Sequence, residues 1–343
     1  DFGCEQRAGD RRVEGGGHAG GRTAADHGAQ LSRGELQPLA EGRAQRRADL
    51  HDRPFATDRA AAADRDRRGQ RLDAHHPLAD DATAVMLDPE YSVAQAIVTR
   101  ALPGSVGFLA AIEAQGYLGD PTARETSLLD GWSVAKAKRL GANAIKLLVL
   151  YRPDAGAVTE SQDQLIADVV ADCARHDIPL FLEPLAYAIA PGLTTDSAEF
   201  AMMRRRILID TVRRLGALRP DVLKVQFPVD TRFERDQAVW ADACSELDEA
   251  SPVPWALLSG GDRYELFRDQ VRVACSAGAS GFLVGRALWG EYVQAQPSEQ
   301  SRIMDEVVRP RFEELSTLAS THGRDWGERY AWEDVDERWY LTD

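Results

Sequence analysis

The amino-acid sequence predicts an α/β fold, a (β/α)8 TIM barrel whose first strand is missing or unrecognisable. From residue 84 onward, seven short and almost continuously apolar segments are mostly separated by amphipathic stretches, the pattern of a buried parallel sheet. Charged residues recur at the centres of several segments, and no GxGxxG follows the early ones. A doubly wound open sheet is the alternative, but it has little use for charges inside its strands. We therefore favour the barrel.

The predicted strands begin near residues 84, 105, 143, 178, 221, 254 and 280. Their sequences, in order, are AVMLD, SVGFLAAI, NAIKLLVLY, IPLFLEPLAY, DVLKVQFP, PWALLSGG and SGFLVGRAL. Helical patterns lie between them, as in SQDQLIADVVADCARHD, and Gly141 and Gly278 stand where a helix C-cap glycine is expected. A complete barrel needs one more strand, which we expect before residue 84.

The first 84 residues differ in composition from the rest. They contain 14 Arg but no Lys, Ile, Met, Tyr or Trp, and their few large apolar residues show no period. Such a segment cannot bury a core, so we expect residues 1–82 to be disordered or the product of a shifted reading frame. We expect a barrel domain over 83–320 and a Trp-rich acidic tail over 321–343.

The tail and the bulk composition restrict the partners. Trp326, Trp332 and Trp339 leave open whether the tail forms an interface in a homo-oligomer or docks on its own barrel. A net charge of −14 and a pI near 5.0 argue against nucleic acid or an anionic membrane surface as partner. The absence of a long apolar run, a recognisable signal peptide and a CxxC pair predicts a cytoplasmic protein with buried free thiols.

Two of the chain's four lysines stand inside predicted strands, although the chain otherwise relies on 37 arginines. Alternate residues of a barrel strand face the lumen, and in DVLKVQFP the apolar Leu223 and Val225 suit the helix layer, which turns Lys224 inward. The same alternation places Lys146 and Glu183 on inward faces of their strands. If the missing strand is counted first, these three residues lie on strands four to six and converge on one mouth.

This combination suits a particular chemistry. A desolvated lysine beside another ammonium loses its proton readily, and its free amine can attack a ketone to form an iminium. The iminium weakens the neighbouring carbon–carbon bond, and a carboxylate such as Glu183 can take the proton from the departing hydroxyl. The alternative is a structural ion pair between Lys146 and Glu183, with Lys224 reaching out of the barrel end.

The last two strands end in candidate phosphate-binding loops. Ser259, Gly260 and Gly261 end the seventh strand, and Gly285 and Arg286 end the eighth. Barrels often bind phosphate at these loops through backbone N–H groups and a cation. Ordinary tight turns and a surface arginine are the alternative interpretation.

Residues 83–293 resemble the class I tagatose-1,6-bisphosphate aldolase family, whose relatives include the sulfofructose-phosphate aldolases. The matching segments are LDPEYS, AIKLLVLYRPD, IPLFLEPLAY, DVLKVQFPV, LLSGG and ASGFLVGRALWG. The resemblance implies metal-free, reversible cleavage of a ketose bisphosphate to dihydroxyacetone phosphate and glyceraldehyde 3-phosphate. It also implies that Lys224 forms the Schiff base, that Lys146 and Glu183 assist, and that Gly260, Gly261 and Arg286 bind phosphate.

Two departures from the family text keep other functions open. Gln226 stands where the family usually has Glu, and no DQR stretch, which helps these enzymes bind substrate, precedes residue 84. The segments KLLVLYRPD and SAGASGFLVGRA are at least as similar to the sulfofructose-phosphate aldolases, so a sulfonated ketose is an alternative substrate. The absence of the DQR stretch and of a recognisable first strand makes a catalytically inactive barrel a further alternative. A metal-dependent aldolase is least favoured, because residues 85–343 contain only His176 and His322.

Overall fold

A computed structural model describes residues 56–57, 78, 81–331 and 338, and it confirms the barrel. Eight parallel strands form one curled sheet in the order β1-β2-β3-β6-β7-β8-β9-β10. These strands are β1 (Ala56–Thr57), β2 (Ala84–Leu87), β3 (Gly107–Ala111), β6 (Ala144–Tyr151), β7 (Leu180–Ala186), β8 (Val222–Val225), β9 (Trp255–Leu258) and β10 (Gly281–Leu283). A separate antiparallel hairpin consists of β4 (Leu118–Asp120) and β5 (Ala123–Glu125). All seven strands expected from the sequence are present.

Helices alternate with the barrel strands from β2 onward. They are α1 (Ala94–Thr99), α2 (Val134–Arg139), α3 (Ala157–Arg175), α4 (Ala198–Gly216), α5 (Gln237–Ala250), α6 (Tyr264–Ser276), α7 (Arg286–Gln294), α8 (Pro297–Ile303) and α9 (Arg309–His322). Single π-helical turns, Pro89–Val93 and Met304–Val308, lead into α1 and α9. Gly141 and Gly278 follow α2 and α6 with positive φ, as expected of glycines that end helices.

The first strand of the barrel, β1, is only two residues long. Ala56 of β1 lies opposite Val85 and Thr57 opposite Met86, and β1 also approaches β10, so that the ring closes. Just before β2 in the sequence, Leu78 and Ala82 are buried in the core. The expectation of disorder or a shifted frame falls mostly on residues outside the described ranges and stays a prediction.

The faces of the strands follow the predicted alternation. Leu223, Val225 and Phe227 belong to the core between the sheet and the helices. A second apolar cluster, with Val222 packed against it, fills the lumen below the charged residues; its members are Ala84, Met86, Leu109, Ala144 and Phe181. The lumen is thus apolar at the end where the strands begin, and its charged side chains lie on the strands further toward their carboxyl ends.

The C-terminal segment packs against the end of the barrel where the strands begin. Arg324 and Arg329 bind the buried carboxylate of Asp248, and the hydroxyl of Tyr330 donates to the backbone oxygen of Asp221. Trp326 stacks edge-on against Tyr330, with ring centroids 5.7 Å apart. Up to Tyr330 the tail therefore docks on its own barrel, whereas Trp332 and Trp339 lie outside the described residues.

The cysteines have the state expected from the sequence. Cys173, Cys244 and Cys275 are buried free thiols, as predicted, and Cys4 lies outside the described residues. Burial raises the pKa of the Cys275 thiol to about 12, which keeps it protonated and unreactive at neutral pH. Across the described residues, no helix combines the length and the apolar character needed to cross a membrane.

Candidate active site

A cavity of about 180 Å³ opens at the carboxyl ends of β7 to β10, which we call the mouth of the barrel. It is lined by Glu183, Leu185, Lys224, Gln226, Leu258, Ser259, Gly260, Gly261, Leu283, Gly285 and Arg286. Every site residue predicted from the sequence is on this lining except Lys146. The carboxyl end of a parallel barrel is where ligands and substrates bind in enzymes of this architecture.

Three charged side chains meet at the floor of the cavity, with Lys146 below the other two. The Lys224 Nζ lies 2.9 Å from Glu183 Oε2, and the Lys146 Nζ lies 3.1 Å from the same oxygen. All three residues are almost fully buried, with 4% or less of their surface exposed. Two ammonium groups thus share one carboxylate oxygen in a place with little water.

The two lysines differ in their access to the cavity. Lys224 stands opposite Ala256 of β9 in the sheet register and lines the cavity. Lys146 stands opposite Phe181, two residues before the Leu148–Glu183 pair, and has no exposed surface. Lys146 therefore reaches Glu183 from below, and a molecule in the cavity meets Lys224 first.

Glu113 is a member of this cluster that the sequence analysis did not find. Its carboxylate forms a close ion pair with Lys146 through Oε1, and its Oε2 accepts a hydrogen bond of 3.2 Å from the N–H of Leu148. Glu113 follows β3 at an even spacing from Leu109, which faces the lumen. Continuing the alternation two residues past the end of β3 would have identified it.

The two loops that the sequence suggested for phosphate binding contain glycines with positive φ. Gly260 and Gly261 have φ values of 58° and 90°, a region that favours glycine. A Cβ atom on Gly261 would lie 3.0 Å from the nearest guanidinium nitrogen of Arg286, so the missing side chain lets this cation approach the loop. Gly285 is the N-cap of α7 and therefore stands at the end of the helix where N–H groups are available to an anion. Arg286 is exposed, yet it lines the cavity.

Gln226 joins the ends of two strands. Its side-chain oxygen accepts a hydrogen bond of 2.9 Å from the N–H of Ala186, three residues beyond Glu183 on β7. A glutamate here could accept the same bond but would add a negative charge to the cavity wall. The chain thus keeps the bond between β7 and the end of β8 without that charge.

Another arginine at the mouth holds loops together. Arg152, directly after β6, is buried; it donates to both carboxylate oxygens of Asp154 at 2.8 Å and to the backbone oxygen of Tyr187 at 3.1 Å. The hydrogen bonds from Arg152 hold the pKa of Asp154 below its usual value, although partial burial opposes them. These contacts tie the chain after β6 to the chain after β7. The sequence analysis did not single out this residue.

The site offers no obvious place for a metal ion. Over the part of the chain that the structure describes, no group of three or more His, Cys, Asp or Glu side chains is arranged to hold one. The donors at the mouth are two lysines, two glutamates, an arginine and backbone N–H groups. Such a set suits an anionic substrate that carries a carbonyl group.

Comparisons with known proteins agree with this arrangement. The DeoC/LacD family aldolase profile matches residues 60–291. The tagatose 1,6-diphosphate aldolase of Streptococcus agalactiae serotype V is 31% identical over 268 residues, covering 72% of this chain and 81% of the relative. The tagatose 1,6-diphosphate aldolase of Lactococcus lactis subsp. lactis is 33% identical over 252 residues, covering 69% and 76%.

A solved structure shows the same fold. The fructose-bisphosphate aldolase of Plasmodium falciparum superposes with a TM-score of 0.62, covering 84% of this chain and 96% of that one. At 14% sequence identity, this likeness concerns the architecture of the barrel and no particular residue. The profile match begins at residue 60, before the texts on which the sequence resemblance rests.

Proposed function

Because the chain belongs to the DeoC/LacD family of aldolases, we propose that it is a class I aldolase that cleaves tagatose 1,6-bisphosphate. The products are dihydroxyacetone phosphate and glyceraldehyde 3-phosphate. The relatives named as tagatose 1,6-diphosphate aldolases support this substrate. The observation that supports the chemistry most strongly is the Lys224 amine, which lines the cavity 2.9 Å from a buried carboxylate.

In the first half of the reaction Lys224 acts as the nucleophile. Its uncharged amine attacks the C2 carbonyl of the ketose, and loss of water from the carbinolamine gives an iminium. The C3–C4 bond then breaks, and its electron pair flows into the iminium to leave an enamine. At the same time the C4 hydroxyl gives its proton to Glu183 and becomes the aldehyde of glyceraldehyde 3-phosphate.

The second half returns the enzyme to its starting state. The enamine takes a proton at C3, and water hydrolyses the resulting iminium to release dihydroxyacetone phosphate and the Lys224 amine. The proton for C3 comes from Glu183, which accepted it from the C4 hydroxyl and whose Oε2 lies 2.9 Å from the Lys224 nitrogen that is bonded to C2, the neighbour of C3. One carboxylate can thus serve both the cleavage and the return of the proton.

The loops after β9 and β10 would hold the phosphate on C1. C1 is bonded to the carbonyl carbon that Lys224 attacks, and the cavity that contains Lys224 also contains Gly260, Gly261 and Arg286. Backbone N–H groups and a guanidinium are the usual partners of a phosphate. Anchoring C1 in this way would place C2 next to the lysine.

The proposal is tested by assaying purified protein for cleavage of tagatose 1,6-bisphosphate, with release of dihydroxyacetone phosphate as the measurement. Fructose 1,6-bisphosphate and 6-deoxy-6-sulfofructose 1-phosphate are compared in parallel, because all three carry the same phosphate on C1. We expect the highest kcat/KM with the tagatose compound. A clear preference for the sulfonated sugar would replace it as the substrate, and no cleavage of any by folded protein would favour an inactive barrel.

A further inference from the structure

The proposed substrate carries two anionic groups, and the residues assigned so far account for the one on C1. In the proposed reaction the loops after β9 and β10 hold the C1 phosphate, Lys224 on β8 attacks C2, and Glu183 on β7 takes the proton of the C4 hydroxyl. The carbon chain then runs around the mouth from β10 toward β7, in the order in which the strands lie in the sheet. C6 and its anionic group come next, beside β6.

The β4–β5 hairpin covers the ends of β6 and β7. The N–H of Leu150 on β6 donates to the hydroxyl oxygen of Thr126, directly after β5, at 3.1 Å. The N–H of Arg124 on β5 donates at 3.3 Å to the hydroxyl oxygen of Tyr187, directly after β7. Tyr187 follows Glu183 by four residues, so it continues the same face of the strand toward the mouth. The hairpin therefore stands where the chain of the substrate leads.

The guanidinium of Arg124 is held in place by its neighbours. Its central carbon lies 4.6 Å from the ring centroid of Tyr117 and 5.3 Å from that of Tyr187, which places the cation against two aromatic rings. Its Nε donates at 2.8 Å to the backbone oxygen of Pro121. The backbone oxygen of Arg124 accepts a hydrogen bond of 3.3 Å from the side chain of Gln162 on α3. The cation is thus fixed before any ligand arrives, which lowers the entropy cost of binding.

Arg124 has hydrogen-bonding capacity to spare. A guanidinium has five N–H donors, and within the part of the chain that the structure describes only the Nε–H of Arg124 has an acceptor, and no carboxylate lies within ion-pair distance. Arg152, on the same side of the mouth, is different, because both of its arms and its Nε are used by Asp154 and the backbone oxygen of Tyr187. Arg124 is therefore the better partner for an incoming anion.

We propose that Arg124 binds the anionic group on C6 of the substrate, a phosphate or a sulfonate, opposite the C1 phosphate at Arg286. The inference rests on the proposed function and assigns a role to a residue that is not part of the cavity lining. Both anions present several oxygens to the planar N–H groups of a guanidinium. The carboxylate of Asp154 does not oppose them, because Arg152 balances its charge.

The test measures the binding of hexitols, the reduced forms of the ketoses, which have no carbonyl group. Hexitol 1,6-bisphosphate and hexitol 1-phosphate, prepared from the tagatose compounds, are titrated into the full chain by calorimetry. The two ligands differ only in the phosphate on C6, so the ratio of their Kd values reports the contribution of that group. Because no iminium can form, the ratio does not depend on the proposed reaction.

We expect hexitol 1,6-bisphosphate to bind the unaltered protein at least about 10-fold more tightly than hexitol 1-phosphate, and the ratio to fall to about one in Arg124→Gln. Arg124→Lys keeps the charge without the planar fork and should give an intermediate ratio. Arg175→Gln is the matched control, since it removes the same charge at the opposite end of α3, where Arg175 pairs with Asp172. It should leave the ratio unchanged.

A third ligand distinguishes the two anions. The hexitol that carries a phosphate on C1 and a sulfonate on C6 is titrated in parallel into the unaltered protein and Arg124→Gln. An affinity that depends on Arg124 for either C6 group supports the site, and the group that gives the lower Kd is the one to which the site is fitted.

The inference is overturned by an unchanged ratio in folded Arg124→Gln, or by an unaltered protein that binds neither C6 anion more tightly than hexitol 1-phosphate. If Arg124→Gln does not fold, an unchanged ratio in Arg124→Lys overturns it. A fall of equal size in Arg175→Gln would do the same, because the effect would then come from net charge. Absence of ketose cleavage, with the Arg124-dependent ratio intact, would contradict the proposed function and leave this site in place.

Discussion

Both ends of the barrel bury a carboxylate between two cations, but the cations differ. At the mouth, Glu183 lies between Lys146 and Lys224. At the opposite end, Asp248 lies between Arg324 and Arg329, at 2.8 and 2.6 Å. Arginine keeps its charge at any working pH, whereas a buried lysine can give up its proton. The same arrangement of charges therefore makes a permanent ion pair at one end and, under the proposed chemistry, a reactive lysine at the other.

The two clusters also differ in what surrounds them. Asp248 accepts a further hydrogen bond of 3.0 Å from the indole of Trp255, and a Cβ on Gly278 would lie 2.4 Å from its carboxylate carbon. The C-terminal segment that supplies both arginines covers this cluster. The cluster at the mouth borders a cavity. A buried ion pair is therefore a candidate for catalysis only when one of its partners can be reached and can change its charge.

The largest effect is expected when an arginine, the cation of the opposite end, replaces the lysine at the mouth. Lys224→Arg keeps the positive charge beside Glu183 but supplies no nucleophile. We expect kcat/KM for aldol cleavage to fall by about 10⁴-fold or more, because the covalent route is lost. The thermal midpoint should change little. Retention of more than a tenth of the activity would mean that Lys224 is not the nucleophile.

The second prediction breaks the arginine end. Asp248→Asn leaves two guanidinium groups without their anion, and we expect a loss of about 2–3 kcal/mol in the free energy of unfolding, measured with urea. Asp242→Asn on the same helix is the control: its carboxylate is exposed and pairs with Arg205, so we expect less than about 0.5 kcal/mol. Activity per folded molecule should stay unchanged in both variants, and a fall in kcat for Asp248→Asn would show that the two ends are coupled.

The third prediction concerns a cation at the mouth that has no covalent role. Arg286→Gln removes the proposed partner of the C1 phosphate, and we expect KM to rise by about 10- to 100-fold, since a charge-assisted hydrogen bond contributes about 1.5–3 kcal/mol. Arg302→Gln on α8, where the arginine pairs with Glu306 on the outside, should leave KM unchanged. Equal KM values for Arg286→Gln and the unaltered enzyme would remove Arg286 from the site.

The smallest effect is expected at the Arg152–Asp154 pair on the rim of the mouth. The pKa of Asp154 is lowered by its hydrogen bonds with Arg152, so its contribution to stability is present above the unfolded value of about 3.9 and is lost as pH falls through the folded value. Because the Asp154 side chain is 60% exposed, that contribution should be below about 1 kcal/mol. The stability difference between the unaltered protein and Asp154→Asn should therefore shrink from pH 6 to pH 2. A difference that grows toward low pH would contradict this sign.

The sequence predicted the parts of the barrel that depend on local patterns. Seven strands could be found because each is an apolar run, and Lys224 and Glu183 could be turned inward because a strand alternates its faces. The sequence also predicted that Lys146 lies near Glu183 and Lys224. Its depth below the cavity, however, depends on the register between β6 and β7, which no local pattern gives. Glu113 was missed because it lies beyond the apolar run of β3.

Other features had no signal in the sequence. Strand β1 is two residues long and held by backbone pairing with β2, so no apolar run marks its place. The contact between Asp248 and Arg324 joins residues that are 76 positions apart, and each of them alone resembles an ordinary surface charge. Long-range pairs of this kind are fixed by the packing of the C-terminal segment on the barrel and become visible only in three dimensions.

The central claim is that Lys224 is the amine that forms the iminium. Borohydride reduction in the presence of dihydroxyacetone phosphate, followed by peptide mass spectrometry, fixes any iminium and identifies the lysine that formed it. We predict one reduced adduct per chain, on Lys224, and none on Lys146, Lys136 or Lys138. An adduct on Lys146 instead, or no adduct on folded protein, would contradict the account.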